Sequence, residues 1–361
     1  MALIAHALGR GFDRGERLRL AGSYGIVLLL HLAGLGLLVW QSPRFPALLG
    51  LGALAYSFGL RHAFDADHIA AIDNTTRKLL RDGQKPVAAG FFFSLGHSTV
   101  VFLIAIALGL VAKAVVNSVI SEHGQLKSLG GLVGTSVSGA FLVIIGLLNL
   151  VILLDIVSTY RHLRRGEYDG AALEQRLVSG GVLTRVFSGL FRFITESWHL
   201  YPLGFLFGLG FDTASEVALL AISAGAASQG LPFLPIVSLP LIFAAGMTLM
   251  DTTDGAFMSK AYLWAFAQPT RKLFYNLTMT GLSVFIALFV GLVELLQMVA
   301  RIANLHSAFW DWASNFDLST LGFIIVAAFL VAWLIAFSVF KTRHVEERWA
   351  AMVNTTGASR E

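Results

Sequence analysis

Four short stretches place ionisable residues inside segments that are otherwise apolar: Arg61–Ile69 (RHAFDADHI), Ser94–Val101 (SLGHSTVV), Leu209–Glu216 (LGFDTASE) and Met250–Gly255 (MDTTDG). A charge at bilayer depth costs ~2.5–3.5 kcal/mol even on insertion scales, so such residues face a bundle interior and mark an ion or substrate path. On a continuous helix turning about 100° per residue, His62, Asp65 and His68 share one face, and Asp67 turns toward a neighbouring helix. Imidazole suits late first-row metals, whereas magnesium and calcium want oxygen shells. Two histidines with carboxylates therefore point to a divalent cation of the nickel, cobalt, copper or zinc type. The bland reading of the same residues is a histidine–aspartate network that ties helices together.

His97 follows Ser94 and Gly96 at a depth matching His62, which makes it a ligand or an orienting group just behind one. Asp212 with Glu216, and Asp251 with Asp254, sit at spacings that put each pair on one helix face. Carboxylates at that depth need a cation or a proton. They complete the metal site, line its transport path, or form a structural charge network. His31 lies mid-way along another apolar segment, where it joins the site or is a satisfied core histidine. No GxxxxGKS/T is present, so no P-loop hydrolyses nucleotide.

The elements that must hold these residues are legible in composition. The chain has 361 residues, 56% hydrophobic and 13% charged, with mean hydropathy +0.73. That is about half the charge of a soluble domain. An all-α polytopic membrane protein follows, with room for eight spans of ~20 residues: Ala21–Trp40, Ala47–Ile72, Val87–Val116, Leu129–Ile156, Leu200–Ser228, Pro235–Phe257, Phe274–Ala300 and Leu318–Phe340. Of the 26 Lys and Arg, 21 fall in connections or ends on one side of this arrangement. The positive-inside rule puts that side, and both termini, in the cytoplasm. Orientation, not nucleic acid, explains the basic balance. The chain reads as one transmembrane domain, residues 1–361, with a basic cytoplasmic loop over 158–199 between its halves. Phe-Gly-Leu precedes an acidic motif at Phe58 and again at Phe207, which suggests an inverted repeat of spans 2–4 and 5–7. Cysteine is absent, excluding disulfides and thiolate metal chemistry. The N-terminus shows no cleavable signal pattern.

These motifs resemble the signatures of the NiCoT family of nickel/cobalt permeases. RHAFDADHI is similar to its second-helix hallmark, in which His62, Asp67 and His68 form the core pattern. The other three stretches are similar to its further motifs, and only Ser215 departs, where threonine is usual. The likeness runs from about Arg17 to Arg348. It implies uptake of Ni²⁺, Co²⁺ or both through the bacterial cytoplasmic membrane by a single polypeptide. His31 with Phe64 resembles variants that accept cobalt. The reading is thus a secondary transporter, not an enzyme, with no cofactor and no obligatory protein partner. Its metal is held by His62, Asp67 and His68, with Asp65 and His97 in or just behind the shell. A nickel/cobalt efflux carrier is the nearest alternative. An intramembrane metalloenzyme is more distant, since HExxH is absent.

Overall fold

A computed structural model of the chain describes residues 12–110, 125–164, 194–210, 214–228, 231–266 and 269–342. Eleven α-helices and no strand occur among them: α1 (Arg14–Gln41), α2 (Ala47–His62), α3 (Ala66–Arg81), α4 (Ala89–Leu110), α5 (Gln125–Arg164), α6 (Leu200–Phe207), α7 (Ala214–Ser228), α8 (Phe233–Phe266), α9 (Pro269–Ala303), α10 (Ala308–Ser314) and α11 (Leu318–Thr342). Five of them (α1, α4, α5, α8 and α9) contain stretches long and apolar enough to cross a bilayer. Shorter apolar stretches lie in α7 (Ser215–Ala226) and α11 (Leu321–Ala332). On α1, Leu28, Leu29, Leu32, Val39 and Trp40 are each more than half exposed, an apolar face turned outward. The protein is an all-α polytopic membrane protein.

The second expected span is not one helix. α2 stops at His62, Asp65 adopts an extended conformation (φ −67°, ψ 145°), and α3 restarts at Ala66 and runs on to Arg81. The expectation that His62, Asp65 and His68 share a face of a continuous helix is therefore corrected. His62 closes one helix and His68 opens the next. No Gly or Pro marks this break, so helix propensity gives no sign of it. The expected fifth span is likewise divided, into α6 and α7, with Gly208 and Gly210 at the break. Glycine weakens helix there by its backbone freedom. Non-helical backbone at membrane depth is tolerated only where protein covers it. At the first break that cover is α11, where a Cβ on Gly322 would fall 1.4 Å from the Phe64 carbonyl oxygen. The Phe64 and Phe323 rings stack beside it, 5.0 Å apart.

α8 is the central element, packed on α1, α2, α3 and α4. Its direction relative to its neighbours follows from paired contacts. Tyr24 meets Thr253 and Gly34 meets Ile242, so α1 runs antiparallel to it. His68 meets Asp251, Ile72 meets Gly255 and Arg77 meets Tyr262, so α3 runs parallel to it. Gly90 lies against the Asp251 carbonyl, where a Cβ would sit 1.8 Å away, and Ser94 meets Thr248, so α4 is antiparallel. This is the alternation that successive crossings require. α5 packs antiparallel on α9 through Gly139 with Gly291 and Gly146 with Leu288.

The end of the bundle holding residue 12 is tied by polar contacts. Asp13 and Glu16 form a capping box on α1, at 2.8 and 2.7 Å, satisfying two orphan amides. The Lys85 ammonium bonded to Asp13 holds that carboxyl down to about 2. A lowered folded-state value means that the pair's contribution is present above the ordinary carboxylate range and is lost as pH falls toward 2. Lys85→Ala should return Asp13 toward 3.8 in a carboxyl NMR titration. Because the pair is exposed, the melting temperature at neutral pH should barely move.

Helix reaches into two of the expected charged connections. Arg77, read as a loop charge, lies inside α3 and is 1% exposed. The connection expected over 158–199 starts as helix, since α5 continues to Arg164; residues 165–193 lie outside the described residues.

Candidate metal centre

The break between α2 and α3 brings together what a continuous helix would have spread along its length. His62 at the end of α2, His68 in the first turn of α3 and His97 on α4 are all buried, and each offers a ring nitrogen within 4.8 Å of the others. Their ring centroids are 4.6 to 4.8 Å apart. Phe93, 4.9 Å from the His68 ring, and Phe243, 5.7 Å from the His62 ring, wall the cluster with apolar surface. Such a dry enclosure strengthens every charge interaction inside it.

The hydrogen-bond partners fix which nitrogens face inward. His68 Nδ1 lies 3.1 Å from Asp251 Oδ2, and its Nε2 is buried with no hydrogen-bond partner among the described residues. A proton on Nδ1 directed at the carboxylate leaves a lone pair on Nε2. His62 repeats the pattern. Its Nδ1 bonds Ser215 Oγ at 3.1 Å and has Asp65 Oδ2 at 2.7 Å off the hydrogen-bond axis. Its Nε2 points at His97 Nε2, 2.9 Å away, and lies 3.7 Å from Glu216 Oε1. His97 Nε2 is itself 2.7 Å from Glu216 Oε1. Two imidazole nitrogens at that separation share at most one proton. Ligands bonded at ~2.0–2.1 Å to one metal ion stand at about this spacing. The chemistry offered is three nitrogen donors. Asp251 and Asp65 stand at the Nδ1 sides of His68 and His62, and Glu216 on the inward side beside Nε2 of His97. Carboxylates thus both orient rings and balance a double charge.

Asp65, Glu216 and Asp251 come from α3's cap, α7 and α8, each at most 2% exposed. Both Asp65 oxygens and Asp251 Oδ1 have no hydrogen-bond partner among the described residues. Buried carboxylate oxygens without donors call for a cation or a proton. Asp251→Asn keeps the shape but removes the acceptor charge that orients His68. Nickel affinity should fall ~10–100-fold with unchanged membrane protein level, measured by titration of the purified protein. A parallel loss of protein would mean that Asp251 is only a tie between α3 and α8.

The family model described as "High-affinity nickel-transport protein" (NicO) matches residues 48–339, a stretch that contains every member of this cluster. The chain belongs to this family. It is similar to the nickel transporter NicT of Mycobacterium tuberculosis, with 50% identity over 97% of this chain and 96% of that one. The nickel transporter NixA of Staphylococcus aureus is 48% identical, covering 93% and 98%. The cobalt transport protein NhlF of Rhodococcus rhodochrous is 42% identical, covering 92% and 95%. No solved structure matches the chain. NicO proteins, and the three relatives, are named for transport and not for catalysis, which sets the metalloenzyme reading aside.

The remaining residues singled out in this NicO chain fall in different places. Asp67 is in the first turn of α3, where the helix dipole favours a carboxylate. It is half-buried next to His68. His31 is satisfied elsewhere, its Nδ1 at 2.8 Å from the Val27 carbonyl and its Nε2 at 3.3 Å from the Tyr56 hydroxyl. Phe64 lies in the break, against α11. Asp254 stands one turn beyond Asp251 on α8, lining a ~90 Å³ cavity with Met258, Met279 and Phe329. Asp212 lies outside the described residues. The reading of the sequence passed over Asp73 and Asn74 and took Arg77 for a loop charge; all three are buried on α3. The (i, i+4) spacing of Asp73 and Arg77 was the available signal.

Proposed function

We propose that the chain is a secondary transporter that takes up Ni²⁺ and Co²⁺ through the bacterial cytoplasmic membrane. The observation that carries this reading is the buried triad of His62, His68 and His97, with nitrogens within 4.8 Å of one another, inside a membrane helix bundle. Nε2 of His62 and of His68, with a nitrogen of His97, bind the ion. Asp65 and Asp251 orient His62 and His68, and Glu216 and Asp67 add the negative charge that a divalent cation needs. Three nitrogens favour nickel and cobalt over magnesium. The names of relatives, nickel for two and cobalt for a third, support the same pair of metals. Ion entry toward a negative interior contributes ~2.3 kcal/mol per charge per 100 mV, and twice that for a divalent ion. Measured ⁶³Ni and ⁵⁷Co flux in cells expressing the chain, each competed by the other metal, tests the reading. Net outward flux would make the protein an exporter instead.

The eight-passage arrangement, with both termini cytoplasmic and passages two and five broken, belongs to the same proposal. A Phe-Gly-Leu precedes the first break and runs into the second, and the two halves pack alike. Gly59 of α2 lies against the Phe243 carbonyl of α8, and Gly204 of α6 against the Phe93 carbonyl of α4. An inverted repeat relates these pairs and sets the ion site at their shared interface. Tags at either end should be inaccessible from the periplasm of intact cells. A periplasmic reporter active at a terminus would sink this topology.

A further inference from the structure

Between the histidine cluster and the end of the bundle held by Asp13 and Lys85 lies a buried polar ring that the transport reading has not used. Its centre is Arg77, on α3 about 13 Å along the helix axis from His68. The guanidinium donates from Nη1 to Thr280 Oγ1 at 2.8 Å, and from Nη2 to Tyr262 Oη at 2.7 Å and Ser283 Oγ at 2.8 Å. It lies 4.3 Å above the Tyr262 ring. The Tyr262 and Ser283 hydroxyls donate in turn to the two oxygens of Asp73, itself 3.9 Å from Arg77. The ring thereby closes α3 onto α8 and α9. Asn149 of α5 joins the same layer, donating to Asn74 at 2.6 Å and accepting from Arg81. Going down α3 and α8 in parallel, the layers are His68 with Asp251, Ile72 with Gly255, then Arg77 with Tyr262.

A guanidinium stays charged in any protein setting. Paired with Asp73, it leaves the ring without net charge, so the ring opposes a divalent cation moving along α3 by tying the three helices together and not by repulsion. The guanidinium's partners offset the cost of burying it, which an unpaired charge could not bear. Such a ring also separates easily as a unit, because hydroxyls and carboxylate exchange their bonds for water. An apolar seal would have to expose hydrocarbon instead. We infer that Asp73, Arg77, Tyr262, Thr280 and Ser283 form the barrier that closes the metal site toward the cytoplasmic end, and that parting α3 from α8 and α9 opens it. This inference rests on the transport reading and on the orientation given above.

The chain contains no cysteine, so a single one reports cleanly. Thr252, beside Asp251 and wholly buried, lies on the site's side of the barrier, about 15 Å along α8 from Tyr262. Thr252→Cys is alkylated with a membrane-impermeant maleimide from each side, in right-side-out and inside-out vesicles. With Tyr262→Phe and Ser283→Ala added, the rate from the cytoplasmic side should rise more than tenfold, and the rate from the other side should not change. An unchanged cytoplasmic rate overturns the inference. So does an equal rise from both sides, which would mean that the ring is a static tie whose loss loosens the bundle. If the double variant fails to accumulate, Tyr262→Phe alone gives the same reading. Nickel binding by the parent protein is measured in parallel. Its absence would sink the site assignment, while alkylation reads the barrier separately.

Discussion

Replacing His62 or His68 with alanine should abolish nickel uptake at trace metal and weaken nickel binding by the purified protein more than 100-fold. Each ring contributes one inward nitrogen of three. Loss of a group that merely orients a ligand costs ~10–100-fold, so loss of a ligand costs more. His97→Ala should now be equally severe, since its Nε2 stands 2.9 Å from that of His62. The structural alternative makes a different forecast. If the histidines only tie helices, removing one leaves a buried carboxylate unpaired, at a cost of ~3–5 kcal/mol. Protein level and melting temperature would then fall in step with activity. For His68 the unpaired group would be Asp251, which the double change His68→Ala with Asp251→Ala relieves. If that double variant regains both stability and nickel binding, the cluster is not the binding site. If it regains stability alone, the assignment stands.

The sequence made the class and the chemistry legible because both are matters of residue type. Histidine and carboxylate in apolar segments are anomalous wherever the chain folds, and the four motifs could be found without knowing their geometry. What stayed hidden was the shape of the second passage. Residues 63–65 carry no Gly or Pro to interrupt a helix, and the drop in hydropathy over Arg61–His68 reads as a cluster of site residues and not as a break. The break is covered by a helix far away in sequence, α11, packed on Phe64 and Asp65. His62 and His68 therefore meet by a route that helical periodicity does not contain. The same limit hid Arg77. A basic residue after an apolar run reads as a connection, and only its partners on α8 and α9 reveal a buried ring. At α6 and α7 the glycines were visible, but glycine is common throughout this chain and marks close helix contacts as often as breaks.

Gly322→Ala should therefore be among the most damaging substitutions in the protein, although Gly322 itself carries no side chain. The added methyl would fall 1.4 Å from the Phe64 carbonyl oxygen and 3.2 Å from the Asp65 carbonyl carbon. Contacts under 3 Å to backbone cannot be relieved by a rotamer change, so either α11 retreats or the 64–65 peptide moves. If α11 retreats, the stacked Phe64 and Phe323 rings separate and the break loses its cover, leaving backbone groups unsatisfied at membrane depth. If the peptide moves, it carries Asp65, at 2.7 Å from His62 Nδ1, and the start of α3 with His68. Ligands displaced by about 1 Å cannot close on a metal whose bonds vary by only ~0.2 Å. The expected result is a fall in nickel affinity of 100-fold or more in whatever protein remains monodisperse. Gly36→Ala, on α1 with nothing within 4 Å of the new methyl, should bind nickel as the parent does. Native affinity in a stable Gly322→Ala protein would show that α11 does not hold the break, and the account of how the second passage positions the histidines would have to be abandoned.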